Sequence, residues 1–164
     1  MQYCTRVNQP DATERELLTE FQQLQFPTDT FTFKENQFVG CGYDCTIGPH
    51  RVEGKNDKKS KVTGNLFVET QQTFDHKRTW QWSGLSLSLQ PDAQHGCDFF
   101  VMAAYGPPDH SWFFWAKPQT WQEWCKQGTL RETMKGANGN RAGSYARGYT
   151  IRVEELKKEL NHWL

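Results

Sequence analysis

The sequence predicts an α/β fold in which a central mixed β-sheet is flanked by helices. Three observations support this prediction: an amphipathic helix near the start, four β-type runs between residues 30 and 71, and a buried strand followed by short helices in the second half. The 164 residues contain no internal repeat and no low-complexity linker. We therefore expect a single domain over residues 1–164.

The first helix is predicted over residues 12–25. Thr13 and Glu16 have the spacing of a capping box, in which each side chain accepts a backbone N–H of the other residue. Apolar residues then recur at helical spacing, at Leu17, Leu18, Phe21 and Leu24. Phe26-Pro27 ends the pattern, because proline cannot continue a helix.

Glu14 lies in the first turn of this helix and has two interpretations. At about 100° per residue, it falls close to the middle of the stripe formed by Leu17, Leu18 and Phe21, so its carboxylate would face inward. Alternatively, it is an ordinary first-turn glutamate that the helix dipole favours and that faces solvent. The spacing leaves both interpretations open.

The β-type runs include a predicted hairpin. Gly48-Pro49 is a two-residue turn in which the glycine can supply the positive φ of a type II′ turn. If Ile47 faces His50, Asp44 comes directly opposite Glu53, with Cβ atoms roughly 4.5 to 5.5 Å apart. Lys55, two residues after Glu53, projects from the same face of its strand.

The second half of the chain gives coarser predictions. Residues 97–105 should form a buried strand, and residues 111–116 its hairpin partner across Gly106-Pro107-Pro108. Ser83 to Ser88 indicates a turn or short element, and short helices are predicted over 119–127 and 153–163. The glycine-rich stretch 135–148 is expected to be a mobile loop.

Composition narrows the class of protein. The 19 basic side chains balance 19 acidic ones, and no apolar run approaches the ~20 residues that span a bilayer, so we expect no membrane partner. The polar first twenty residues do not resemble a signal peptide, which favours a cytoplasmic protein. The five cysteines lack zinc spacing and are expected to be reduced thiols. A bound metal would therefore have oxygen ligands.

The facing carboxylates of Asp44 and Glu53 point to metal chemistry. Two such groups on one sheet face repel each other, and Lys55 relieves only part of that repulsion. Mg²⁺ prefers carboxylate oxygens together with water and substrate phosphate oxygens. Such an ion can activate water and polarise a phosphoryl group, while the lysine orients the water or offsets negative charge, which is the chemistry of phosphodiester hydrolysis. The alternative is an exposed hairpin whose charges are simply solvated.

A family resemblance favours the metal interpretation. Asp44, eight intervening residues and Glu53-Gly54-Lys55 resemble the catalytic signature of the PD-(D/E)XK nuclease superfamily. The continuation VEGKNDKKSKVTGNLFVE, SGLSLS and CDFFVMA is similar to small phage and bacterial nucleases of the Holliday-junction-resolvase type. The similarity covers roughly residues 42–105. It implies a restriction-endonuclease-like fold, a Mg²⁺-dependent DNA endonuclease in which Mn²⁺ substitutes, branched or junction DNA as a substrate, and a homodimer.

The resemblance also implies roles for individual residues. Asp44 and Glu53 would be metal ligands and Lys55 the catalytic lysine. The carbonyl of Val52 or Gly54 would be a backbone ligand. Glu14 would be the helix carboxylate that many members direct at the metal. The sequence departs from the family in three places: Tyr43 replaces the proline of the name, Gly54 replaces an apolar residue, and Asp57 adds a carboxylate.

Glu69 and Gln71 are two further candidates for the catalytic site. Because they are two residues apart on one strand, both are predicted to project from the same side and extend the site. A rival assignment makes Glu69-Thr70-Gln71 an E-x-Q variant of the motif, with Asp44 retained. The third interpretation is a polar strand edge.

Contacts with DNA are expected from basic residues, because backbone phosphates are met by mobile cations. The candidates are Lys58, Lys59, Lys61, Arg141 and Arg147. Ser83, with Gly84, would place a hydroxyl or an amide near a phosphate, unless the pair forms a simple turn. Trp80 and Trp82 would stack on unpaired bases or, alternatively, belong to the core. For the lysine run, a merely solvated face stays open.

Two other functions remain open from the sequence. The same fold with a weakened site would be a nucleic-acid-binding or protein-interaction module that does not cut. A structural protein would show neither DNA binding nor a metal requirement.

Overall fold

The computed structural model describes residues 1–34, 42–90, 96–135 and 143–161. Within them the chain is α/β. The elements follow one another as β1 (Gln2–Thr5), α1 (Glu14–Gln25), β2 (Phe31–Phe33), β3 (Cys45–Ile47), β4 (His50–Asn56), α2 (Ser60–Thr63), β5 (Asn65–Thr73), β6 (Gln81–Trp82), α3 (Leu85–Ser88), β7 (Phe99–Gly106), β8 (His110–Ala116), α4 (Pro118–Cys125), β9 (Thr129–Met134), β10 (Tyr145–Arg152) and α5 (Val153–Asn161).

The large sheet has six strands in the order β1-β8-β7-β4-β3-β2. The sheet is mixed: β4 and β7 pair in parallel, and the other described strand pairs of this sheet are antiparallel. Alternate residues of β7 face opposite sides, and each side carries a core. On one side, Leu17, Leu18 and Phe21 of α1 pack on Val101. The predicted mixed sheet flanked by helices is confirmed.

The small sheet lies on the other side of the large sheet, in the strand order β6-β5-β10-β9. Leu66 and Val68 of β5 share a core with Trp121 of α4 and with Phe100 and Met102 of β7. This second core holds the two sheets together. Of the described helices, none is both long and apolar enough to cross a bilayer.

A β-bulge interrupts the pairing of β5 with β10. Gln71 is opposite Arg147, but Glu69 is opposite the next residue, Gly148, so Thr70 is an extra residue in β5. A glycine is required here because a β-carbon on Gly148 would lie 2.2 Å from the carbonyl oxygen of Val68. Before the bulge the buried residues of β5 have even numbers, Leu66 and Val68. After the bulge the buried residue is Thr73, so the side of the strand that faces the core has changed from even to odd numbers. The prediction that Glu69 and Gln71 share a face is therefore wrong.

Local sequence signals are confirmed. Thr13 and Glu16 form both hydrogen bonds of the capping box that begins α1. Gly48 has a φ of 56°, and Ile47 faces His50, so the predicted hairpin and its register are present. The 97–105 strand and its hairpin partner are β7 and β8, and the two later helices are α4 and α5.

The expected mobile loop over residues 135–148 is wrong at its end. Residues 145–148 belong to β10, whereas residues 136–142 lie outside the described part of the chain. Gly148 weakens the strand pattern in the sequence, but the bulge requires it. Strands β1 and β9 are likewise not predicted from the sequence. In β9 the residues are exposed along nearly the whole length, so no alternation of apolar and polar residues marks the strand.

Candidate active site

The β3–β4 hairpin brings Asp44 and Glu53 together. The N–H of Asp44 donates to the carbonyl of Val52 at 2.9 Å, and one carboxylate oxygen, Oδ2, accepts the N–H of Gly54 at 2.9 Å. The register Cys45 opposite Val52, extended by one residue, places Asp44 opposite Glu53. Glu53 is 6% exposed. The two carboxylates thus meet at the end of β3, as the hairpin register predicts.

Lys55 neutralises part of this charge. Its Nζ lies 2.7 Å from Oε1 of Glu53, which it reaches from the same face of β4. Burial lowers the pKa of Lys55, but the carboxylates of Glu53, Asp44 and Glu14 outweigh burial and raise the pKa above its usual value. Lys55 therefore carries its proton at neutral pH.

Three carboxyl groups surround this single ammonium. Burial, followed by the charge of Glu53, raises the pKa of Asp44 to about 8, against the opposing effects of Lys55 and the Gly54 amide. The pKa of Glu14 is also raised, because its carboxyl loses solvent and lies near Glu53, although Lys55 lowers it. Glu14 itself is exposed and does not face the core, although its carboxyl lies close enough to Lys55 for the two charges to interact. The full excess of negative charge is reached only when all three carboxyls are ionised, which for Asp44 requires a pH above about 8 or a bound cation.

Asn56 fixes Glu14 relative to Lys55. Its Nδ2 donates to the carbonyls of Pro10 and Ala12, each at 3.1 Å, in the segment that leads into α1. The hydroxyl of Tyr105 donates to Oδ1 of Asn56 at 2.7 Å. The start of α1 is therefore attached to the end of β4 directly beside Lys55.

Tyr43, at the position of the family's proline, packs against cations. Its ring centroid lies 4.5 Å from Nζ of Lys34 and 5.6 Å from the guanidinium carbon of Arg51. Asp57 has a structural role, because its carboxylate accepts the N–H of Phe67 at 2.8 Å and so ties β5 to the end of β4. Neither departure from the family pattern removes Asp44, Glu53 or Lys55 from the site.

A cleft of about 980 Å³ opens beside these residues, between the two sheets. Glu14 and Lys55 line it on the side of the large sheet. Further charged and aromatic side chains that line it are Lys58, Lys59, Phe67, Glu69, Arg131, Glu132 and Lys135. The carboxylate cluster therefore borders a cavity with several cations in its walls.

Glu69 lies in the wall of this cleft but is held by structural partners. It accepts Oγ of Ser83 at 2.6 Å and pairs with Nζ of Lys135 at 2.8 Å. Lys135 also donates to Oε1 of Gln72 at 2.6 Å. Ser83 is 4% exposed, and its hydroxyl already donates to Glu69. Because the hydroxyl is buried and bonded, it is not available to a phosphate, contrary to the prediction.

Gln71 is separated from the other predicted catalytic residues. It lines a second pocket of about 510 Å³ with Trp82, Tyr149 and Arg147. The bulge at Thr70 causes this separation, because it turns the side chain of Gln71 to the face of the small sheet opposite Glu69. In the rival E-x-Q assignment, Gln71 would consequently lie outside the cleft and could not share a site with Glu69.

The residues predicted to contact DNA lie in different places. Lys58 and Lys59 line the cleft and are exposed. Lys61 instead pairs with Asp109 at 3.5 Å, in the turn between β7 and β8. Arg141 lies outside the described residues.

Arg147 faces away from the cleft. Its guanidinium carbon lies 3.8 Å from the centroid of the Trp80 ring, and its Nε pairs with Glu132 at 3.2 Å. Arg147 thus lies in strand β10 beside the second pocket and not in a glycine-rich loop, and its contact with DNA stays a prediction.

Arg131 and Lys135, which line the opposite wall of the cleft, were not identified from the sequence. They belong to β9 and the residue that follows it, far along the chain from the Asp44–Lys55 motif. Their one sequence signal is the period-two spacing of Arg131, Thr133 and Lys135, which places three side chains on one face of a strand.

The donor chemistry of the site suits a hard divalent cation. Asp44, Glu53 and Glu14 provide carboxylate oxygens, the ligands that Mg²⁺ takes in proteins. They share one ammonium, so a cation that displaces their protons would meet excess negative charge. Across the described ranges, however, no three His, Cys, Asp or Glu side chains stand close enough to form a complete metal-binding group. Comparisons of the chain with protein-family models, curated proteins and solved structures give no match.

Proposed function

We propose that this protein is a divalent-metal-dependent DNA endonuclease of the PD-(D/E)XK type. The observation that carries the proposal is the ion pair of Lys55 with Glu53 at 2.7 Å, joined by Asp44 and Glu14 at the edge of a cation-lined cleft. The order of helix α1, antiparallel β2-β3-β4 and then parallel β7 supports a restriction-endonuclease-like fold. A homodimer acting on branched or junction DNA belongs to the same proposal.

Each residue has a role in this proposal. Asp44 and Glu53 would hold Mg²⁺, with Mn²⁺ able to replace it, and Glu14 and the carbonyl of Gly54 would complete the ligands. The carbonyl of Val52 already accepts the N–H of Asp44 at 2.9 Å. The ion would polarise the phosphoryl group and activate water. Lys55 keeps its proton, so it would orient the water and face developing negative charge rather than act as a base.

Two substitutions test the function. Glu53→Gln keeps the shape of the side chain and removes its charge, and Lys55→Ala removes the ammonium. Each should reduce cleavage of plasmid, single-stranded and four-way-junction DNA in Mg²⁺ or Mn²⁺ by about 100-fold or more. The matched controls are Glu155→Gln and Lys158→Ala, an exposed pair at 3.7 Å on α5, which should cut like the wild type. Cleavage unchanged by both active-site substitutions would overturn the assignment.

A second candidate function is a binding module with a weakened site. The observation that favours it is that the described carboxylates form no complete metal-binding group, while Glu53 is already paired with Lys55. This module would bind DNA with an affinity that falls with salt and would cut none of the substrates in either metal. Cleavage that depends on Glu53 excludes it.

A further inference from the structure

The size of the cleft limits what it can enclose. Its volume of about 980 Å³ is at the upper end of cavities that hold small molecules, which span about 300 to 1,000 Å³. A B-form duplex, whose major groove alone is about 12 Å wide, is too large to enter such a space. One nucleic-acid strand is narrow enough to lie in it with its phosphates and bases in contact with the walls.

Cations stand on both walls. Lys58 and Lys59 project from the turn after β4, and Arg131 projects from β9 on the opposite side. In the described part of the chain, neither Lys58 nor Arg131 has an ion-pair partner. The acids of the lining have other partners: Asp57 accepts the Phe67 amide, Glu69 pairs with Lys135, and Glu132 pairs with Lys77 and Arg147. A strand between the walls would meet positive charge from two directions.

An aromatic side chain lies between these cations. Phe67 is half-buried and lines the cleft from β5, where the neighbouring positions Leu66 and Val68 turn into the core. Phe100 and Met102 of β7 lie beneath the cleft and are almost fully buried, so Phe67 is the aromatic ring that the cleft presents to solvent among the described lining residues. Proteins that bind single strands combine a positive groove with aromatic rings on which bases stack. Both parts are present here.

We propose that the cleft binds one unpaired DNA strand, with a base stacked on Phe67 and phosphates held by Lys58 and Arg131, and directs that strand toward Lys55. The inference rests on the proposed endonuclease function and narrows its substrate class. The substrates are DNA molecules with a single-stranded segment rather than continuous duplexes.

Binding in the presence of EDTA tests this inference without cleavage. A labelled oligonucleotide is titrated with the full-length protein, as a single strand and as the matching duplex, with fluorescence anisotropy as the readout. The single strand should bind about tenfold or more tightly than the duplex. Phe67→Leu, which keeps an apolar side chain but removes the ring, should weaken single-strand binding by about fivefold to 150-fold. Phe67→Tyr should restore it.

Arg131→Ala should lower the slope of log affinity against log salt by about 0.7 for the single strand, because one phosphate contact is lost. The controls are Tyr3→Leu and Arg78→Ala. Tyr3 is 37% exposed in β1 and lines neither pocket, and Arg78 is exposed in the turn after β5. Both controls should bind as the wild type does. Thermal unfolding of each variant establishes that it is folded.

Two results would overturn the inference: duplex binding at least as tight as single-strand binding, or single-strand binding unchanged by both Phe67→Leu and Arg131→Ala in folded proteins. These results are independent of the Glu53→Gln cleavage assay. A protein that cuts DNA through Glu53 but prefers duplex keeps the proposed function and loses the inference. A protein that binds single strands through Phe67 but never cuts retains the strand site and loses the endonuclease assignment.

Discussion

Gly54 lies so close to Leu18 that a β-carbon on Gly54 would stand 2.7 Å from Cδ2 of Leu18. This contact explains why glycine occupies the middle of Glu53-Gly54-Lys55, a position that is usually apolar in the PD-(D/E)XK signature. Helix α1 approaches β4 closely enough to fill that space with its own leucine. Because Leu18 is one helical turn after Glu14, the same approach keeps Glu14 near Lys55.

Gly54→Ala should lower the free energy of unfolding by about 1 to 3 kcal/mol, because the added methyl group overpacks the interface of α1 with β4. Leu18→Ala should also destabilise the protein, by leaving a cavity. The double variant should lose less than the sum of the two, since the new methyl group occupies part of that cavity. Urea unfolding of all four proteins measures the coupling. Strictly additive losses would contradict the contact.

Asn56→Ala should lower the free energy of unfolding by about 1 to 3 kcal/mol, because the carbonyls of Pro10 and Ala12 lose their donor. Cleavage should fall as well, since Glu14 loses its fixed position beside Lys55. Asn65→Ala, which removes a side-chain amide from β5 of the small sheet, is the control for stability and should have little effect on the free energy of unfolding. If the two variants behave alike in urea unfolding, Asn56 does not anchor α1.

Stability should depend on the protonation of Asp44. Its pKa is raised from 3.8 to about 8 in the folded protein, so between these values the folded state holds more protons than the unfolded chain. The stability of the metal-free protein should therefore fall as pH rises through this window, and be fully present below it. Urea unfolding in EDTA across the window measures the slope. Asp44→Asn should flatten it, and a slope unaltered by that substitution would rule out Asp44 as its source.

Added Mg²⁺ should stabilise the protein, and more strongly toward the upper end of the same pH window. Metal binding requires deprotonated carboxylates, so protons and the cation compete for Asp44. The thermal midpoint measured with and without Mg²⁺ gives the effect. Asp44→Asn should abolish the increase, whereas Glu155→Gln on α5 should retain it. An increase of equal size in all three proteins would indicate that the ion acts elsewhere.

Gln71→Ala should leave cleavage within a few-fold of the wild type, because Gln71 faces the second pocket. Glu69→Gln should act mainly on stability, since Glu69 pairs with Lys135 and accepts the hydroxyl of Ser83. Kinetic assays and urea unfolding on the same samples separate the two effects. Loss of cleavage in Gln71→Ala comparable with that of Glu53→Gln would restore the E-x-Q assignment.

The sequence predicts this site where the information is local. The turn at Gly48 and the pairing of Ile47 with His50 depend on neighbouring residues, and they place Asp44 beside Glu53. The capping box at Thr13 begins α1 at the predicted position. Short-range geometry is therefore readable from spacing and turn chemistry.

Long-range geometry is less accessible to the sequence. Arg131 reaches the cleft only because β9 adds to the edge of a sheet formed by distant strands. The face on which β5 presents odd-numbered residues changes at Thr70, and Gly148, the residue of β10 that the bulge requires, comes much later in the chain. No residue near Thr70 in the sequence indicates a bulge. Contacts of this kind depend on which strands meet, and periodicity within one strand does not specify that.

The extra residue Thr70 also changes how this chain should be aligned with others. A relative without it would keep Gln71 opposite Arg147 and Glu69 opposite Gly148, so the cleft would have the same lining and the second pocket would lose only Thr70. Its sequence would nevertheless show a one-residue gap inside a strand, where gaps are usually penalised. A sequence motif that fixes the number of residues between Glu53 and the end of β5 would therefore miss such a relative. The three-dimensional arrangement of its site would nevertheless be equivalent.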